Sequence, residues 1–395
     1  MTGFYPSDRY GFSELLTPGE LSALGRLRGV LDRDVRPVLA ESWERGEFPF
    51  HTLKPLIDLD LMDPAEVRAE GGRPSALYGG FRNFELGRTD ASMATLYNAQ
   101  SGLFRTTVNI GGSPGQAAEL DPLIRSFGLT GVFALTEPEH GSDIAGGLRT
   151  RARFEADEDG GSWVIDGAKR WIGGAATADV LAVFARDEAD SQVKCFLVPA
   201  GAPGVAIEKM HGKTSLRIMQ NADITFDGVR VPASARLANI NSFKDVAACL
   251  RNMRSDVAWI ATGVAAGAYE AALRYVTTRE QFGRPLAGFQ LIQEKLARML
   301  ANVTACLGMV VRLTQQQEAG VYRDENSALA KMFTAQSLRE TAALAREVVG
   351  GNGILLEYDV ARFHADAEAI YSYEGTHEIC ALVVGRAVTG VGAFT

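Results

Sequence analysis

The sequence is poor in cysteine and histidine and lacks the short patterns that hold metals or nucleotides. Its four cysteines, Cys195, Cys249, Cys306 and Cys380, are scattered without paired spacing. That excludes a disulfide frame and a cysteine zinc site, and it suits buried reduced thiols. HEICA at 377–381 has no second histidine at zinc-binding spacing, and no Gly-x-x-x-x-Gly-Lys stretch is present to cradle a triphosphate. GGNG at 350–353 lacks the third glycine of a dinucleotide fingerprint and follows a helical pattern rather than a strand. No metal is expected. The net charge of −8 comes with dispersed basic residues, which leaves no electrostatic footprint for nucleic acid or an anionic membrane. MTGFYPSDRYGFSELL carries no basic-then-apolar leader, and no later run reads as both long and uncharged enough to span a bilayer. The expectation is a cytoplasmic protein.

What is present is enough apolar residue, 46%, for two or three core-bearing units. LSALGRLRGVLDRDVRPVLAESW and ASMATLYNAQSGLFRTTVNIGG repeat at helical spacing, so residues 1–128 form a helical domain. From GVFALTEP onward short β-rich runs such as SWVIDGAKRWI, DVLAVFAR, KCFLVPA and DITFDGVRVP, separated by glycine turns, predict an antiparallel barrel or sandwich over 129–236. Long Ala- and Leu-rich segments without internal proline return over 237–395 and predict a four-helix bundle with apolar faces left for oligomerisation. The class is multidomain α+β.

Four stretches carry the chemistry. In YSYEGTHEI at 371–379, Gly375 permits a backbone that points Glu374 into a pocket as a base; alternatively Glu374 is a loop carboxylate beside a helix start at Thr376 and Glu378. LTEPEHGSD at 135–143 offers Thr136, Ser142 and backbone amides to a flat heteroaromatic ligand or a phosphate, or is a plain turn. KRWIGGAATAD at 169–179 sets Trp171 beside two glycines, where an indole covers a ring or simply fills a core. REQFGRPLAGFQ at 279–290 offers Arg279 and Arg284 to a pyrophosphate and Phe282 and Gln290 to an adenine, or is a helix end with solvated arginines.

Together with GGNG, and in this order, these stretches resemble the acyl-CoA dehydrogenase family along essentially the whole chain. Each motif is weak alone, and jointly they are specific. KTSLR at 213–217, FQLIQEKLA and YEGTHEICALVVGRAVTG are similar to the glutaryl-CoA dehydrogenase group. The resemblance implies FAD bound at a subunit contact in a homotetramer. Leu135, Thr136, Ser142, Trp171 and Gly173 would meet the isoalloxazine. Arg279, Phe282 and Gln290 would hold the ADP part of a neighbouring subunit's FAD, completed by Glu347, Gly350, Gly351, Thr376 and Glu378. Glu374 would be the catalytic base, removing a thioester α-proton while a β-hydride goes to flavin N5. Ala94, Asn98, Arg254, Tyr373 and Gly375 would line the substrate site. An acyl-CoA or acyl-carrier-protein thioester is the implied substrate, with an electron-transfer flavoprotein or molecular oxygen as acceptor.

Three departures bear on the substrate. Ala94 stands where the glutaryl group grips a distal carboxylate with arginine, and Gly87 stands at a nearby acidic position; Arg105, Tyr97 and Asn98 are the candidate substitutes. Gly173-Gly174 replaces the family's hydroxyl residue after Trp-Ile, which predicts open space there for oxygen and keeps a flavin monooxygenase or decarboxylating oxidase of a biosynthetic pathway as the alternative. Arg251 replaces an acidic adenine contact, which leaves a carrier-bound acyl group open beside CoA.

Overall fold

The computed structural model describes residues 4–156 and 160–393. The chain divides into two compact units: residues 1–95, 214–218 and 254–395 form one, and residues 96–213 and 219–253 the other.

The second unit is built on seven strands: β1 (Gly131–Ala134), β2 (Arg151–Glu155), β3 (Ser162–Gly173), β4 (Val180–Asp187), β5 (Val193–Pro199), β6 (Val205–Lys209) and β7 (Asn221–Pro232). They join in the order β1-β4-β2-β3-β7-β6, with β5 on β4. Most pairs are antiparallel, as the turns between short runs predict. The sheet is nevertheless mixed, because β4 runs parallel to both β1 and β2. Parallel neighbours need long crossovers, and here β2 and β3 themselves fill the connection from β1 to β4. Strand β4 reads as an unbroken apolar run because both its faces are covered. Leu181, Val183 and Ala185 enter one core with Trp163, Ile165 and Phe196, while Ala182 and Phe184 enter another with Phe104, Val108 and Ile124.

In the first unit two helices cross closely at three glycines that remove a side chain. A Cβ on Gly80 would lie 2.2 Å from Trp259, one on Gly263 2.2 Å from the Phe84 carbonyl, and one on Gly87 2.7 Å from the Ile260 carbonyl. The helices Ala76–Thr89 and Phe243–Thr278 therefore pack backbone to backbone. Gly87 is a packing residue, and an acidic side chain has no room there. Trp259 then reaches the helix Gln290–Glu318, donating its Nε1–H to Thr314 Oγ1 at 2.9 Å.

That helix corrects one expectation. By length and composition Gln290–Glu318 is apolar enough to cross a membrane. Its apolar stripe, including Met299, Val303, Leu307 and Val310, is instead buried in the unit, and Glu294, Lys295, Arg298 and Arg312 share the helix. It reads as a bundle helix.

Candidate active site

The helix Val360–Ser372 stops at Tyr373, and the helix His377–Thr389 starts four residues later. Between them Glu374 has φ 55° and Gly375 φ 91°. Left-handed backbone suits glycine but costs an ordinary residue about 1–2 kcal/mol. Thr376 caps the second helix, its Oγ1 accepting from Ile379 N at 3.2 Å. Glu374 is therefore not the cap. Although the residue is half-buried, its Oε2 is sealed from solvent and has no hydrogen-bond partner among the described residues. Burial pushes the carboxyl above its usual range, and the charges of Arg254 and Lys331 pull it partly back. One oxygen of the Glu374 carboxyl is thus dry and unpartnered on a strained turn.

The surrounding groups lie in the same unit. Arg254 also has a buried, unpartnered Nε, and it would stand 3.7 Å from a Cβ on Gly375. Tyr373 Oη lies 3.4 Å from Thr95 Oγ1. Asp256 accepts from Asn83 Nδ2 at 3.2 Å, and burial, with the Glu374 charge adding to it, pushes its carboxyl up to about 6. Ala94 is fully buried on its helix.

Two other expected site residues share this strained backbone with Glu374. Trp171 has φ 66° and Phe282 φ 53°. Phe282 is 94% exposed and Trp171 53% exposed, so the core-tryptophan alternative falls away. Arg279, Arg284 and Gln290 are exposed around the short β-hairpin that carries Phe282. Beside it is a cavity of about 430 Å³ lined by Arg284, Gly288, Phe289, Gln290 and Leu291. Arg284 covers the Phe289 ring at 4.2 Å. Glu347, Gly350 and Gly351 are exposed, Gly350 at φ 67°, with Glu347 held 3.3 Å from Lys295; Glu378 is exposed in the first turn after Thr376.

In the β unit, Leu135 is buried while the hydroxyls of Thr136 and Ser142 make no hydrogen bond among the described residues, which leaves both donors for a ligand. The Thr136 carbonyl accepts from Arg170 N at 2.8 Å, tying the Leu135–Asp143 and Lys169–Asp179 stretches together. A pair missed by motif reading does more. Lys169, fully buried, donates to Leu135 O and to Glu137 Oε1, each at 2.9 Å, and Glu137 also accepts from the Arg149 and Thr150 amides. Asn98 is buried with an unpartnered Oδ1. Arg105 is spent on Asp121 at 2.6 Å and is not free to grip a substrate carboxylate. The space expected at the glycine pair is occupied: a Cβ on Gly173 would lie 2.3 Å from Met219 Cε, and one on Gly174 3.3 Å from Leu96 Cδ1.

The acyl-CoA dehydrogenase N-terminal domain matches residues 20–126, the middle domain residues 132–229 and the C-terminal domain residues 243–389. The chain belongs to the acyl-CoA dehydrogenase family. It is a flavin-dependent oxidoreductase acting on CH–CH bonds. It is 32% identical to a probable acyl-CoA dehydrogenase, YngJ, of Bacillus subtilis, over 90% of this chain and 93% of that protein. Among solved structures, a glutaryl-CoA dehydrogenase of Mycobacterium smegmatis superposes with TM-score 0.89 at 35% identity, covering 98% of this chain and 99% of the other. A second structure of a glutaryl-CoA dehydrogenase from that organism, in complex with FADH2, gives TM-score 0.90 at 30% identity, covering 99% and 100%. Among the described residues no cluster of His, Cys, Asp and Glu is arranged for a metal.

Proposed function

We propose that this acyl-CoA dehydrogenase removes the α-proton of an acyl thioester with Glu374. FAD is the cofactor, and when bound it takes the β-hydride. The observation that carries the reading is the sealed, unpartnered Glu374 Oε2 on its left-handed turn. Desolvation strengthens the base, and Arg254 keeps a positive charge nearby. Thr136, Ser142 and Trp171 would hold the flavin ring, with free hydroxyls and an exposed indole. The cavity beside Gln290 and Phe289, with Arg279, Arg284 and the exposed Phe282, would take the ADP part. The FAD held there would be a neighbouring subunit's, and Glu347, Gly350, Gly351, Thr376 and Glu378 of this chain would complete that contact. The exposed apolar side chains Phe282, Leu291, Ile354 and Val388 favour a homotetramer that covers them.

The acyl group is not a dicarboxylate in this reading, because Ala94 cannot pair with a carboxylate and Arg105 is already paired. CoA or a carrier protein presents the thioester, and Tyr373 and Gly375 border it. An electron-transfer flavoprotein is the acceptor. The oxygenase and decarboxylating-oxidase reading loses its support, because Met219 and Leu96 fill the space that the glycine pair was expected to leave. A cytoplasmic location belongs to the same proposal and rests on four buried, unpaired cysteines.

The test is anaerobic titration of the yellow enzyme with a panel of acyl-CoA and acyl-carrier thioesters, followed by air. Bleaching that outlasts air until an electron-transfer flavoprotein is added supports the reading. Rapid reoxidation with an oxygenated or decarboxylated product refutes it.

A further inference from the structure

Lys331 lies within the helix Asp324–Val349 with no exposed surface, and among the described residues no carboxylate forms an ion pair with it. Its Nζ donates to two carbonyls, Tyr371 O at 2.9 Å and Gly375 O at 2.7 Å. These acceptors lie on either side of Glu374 in the chain. A buried ammonium is costly, and two carbonyls offer only partial charges in return. The surrounding ionisable groups are Glu374, Glu378 and Cys380, which favour the cation, and Arg254, which opposes it. Asp256 and Tyr373 also face Glu374. The Cys380 thiol reaches the same Gly375 carbonyl at 3.7 Å.

We propose that Lys331 is the positioning residue of the base: its two hydrogen bonds hold the loop that puts Glu374 in a left-handed backbone, and its charge, beside that of Arg254, favours the carboxylate form of Glu374. The proposal rests on the reading of Glu374 as base. Two consecutive residues at positive φ are stable only when their surroundings fix them, and Lys331 fixes the carbonyl that follows the bend. Glu374 Oε2 accepts no hydrogen bond, so nearby cations are what offset its burial. Burial in turn pushes the Lys331 ammonium down to about 8, and the nearby Cys380 and Glu374 pull it partly back up.

The test uses the full-length, FAD-loaded enzyme, infrared difference titration of the Glu374 carboxyl, and amide exchange over residues 372–376. Lys331→Gln still donates to a carbonyl but carries no charge. It is expected to move the Glu374 titration to higher pH while the loop amides stay protected. Lys331→Met is expected to move the titration, lose the protection, and slow washout of an acyl-CoA α-deuteron about 10²-fold at neutral pH, the scale of loss from a misplaced reacting group. Raising the pH recovers part of that loss. The reciprocal measurement needs no change at 331: Glu374→Gln should lower the pH at which Lys331 titrates. Unmoved titrations of Glu374 in Lys331→Gln and of Lys331 in Glu374→Gln would overturn the proposal. Wild-type α-deuteron washout in Glu374→Gln would instead overturn the base assignment, while the paired titrations still decide the coupling.

Discussion

Lys169→Met breaks the buried pair that joins the Leu135–Ser142 stretch to the strand bearing Trp171. Lys169 is fully buried and Glu137 is 4% exposed, so the substitution leaves a carboxylate in the interior without its cation and Leu135 O without its donor. Removing one partner of such a pair costs about 3–5 kcal/mol. Because the Arg149 and Thr150 amides still serve Glu137, the lower end, about 3 kcal/mol, is expected. Adding Glu137→Gln keeps a carbonyl acceptor for those amides, removes the charge, and should restore most of the loss. The pH dependence has a definite sign. Burial lowers Lys169 from 10.5 to about 8, so between those values the unfolded chain binds more protons and wild-type stability rises with pH. Lys169→Met should remove its share of that slope and leave the share of Lys331, which burial also lowers to about 8. Urea unfolding of the apoprotein, followed by tryptophan fluorescence at pH 7 to 10, measures both effects. A single variant within about 0.5 kcal/mol of wild type, the usual scale of neutral substitutions, or an unchanged slope would show that the pair does not stabilise the fold in this way.

Two further outcomes follow from glycine geometry. Gly173→Thr should lower stability and flavin affinity because its Cβ strikes Met219 Cε at 2.3 Å, and Met219→Ala should rescue it; equal flavin affinity in Gly173→Thr with Met219 intact would contradict the packing. Gly263→Ala should destabilise by about 1–3 kcal/mol in denaturant unfolding, since its Cβ meets the Phe84 carbonyl at 2.2 Å; a gain of about 1 kcal/mol, the helix-propensity benefit of alanine, would show that the helices can part freely.

Much of the fold was legible because apolar periodicity changes sharply at GVFALTEP and again after the last strand. Strand direction was not legible: VLAVFA predicts burial on both faces but says nothing about β4 running parallel to β1. The expected site residues Trp171, Phe282 and Glu374 share positive φ, a backbone property that the adjoining glycines only hinted at. Gly173 misled, because a glycine can mark an opening or a contact, and only the position of Met219, 46 residues away, distinguishes them. Lys169 and Lys331 were overlooked although a lone lysine inside VIDGAKRWI or ALAKMF is a signal. In sequence a buried cation and a solvated one look alike, and their partners here are backbone carbonyls or lie far along the chain.

The most direct measurement of the central claim is stopped-flow flavin reduction by a saturated acyl-CoA in Glu374→Gln. The variant should stay yellow, bind FAD like the wild type, and reduce its flavin about 10²–10⁴-fold more slowly, the usual contribution of a general base. Reduction at the wild-type rate in a fully flavinated variant would remove Glu374 from the reaction.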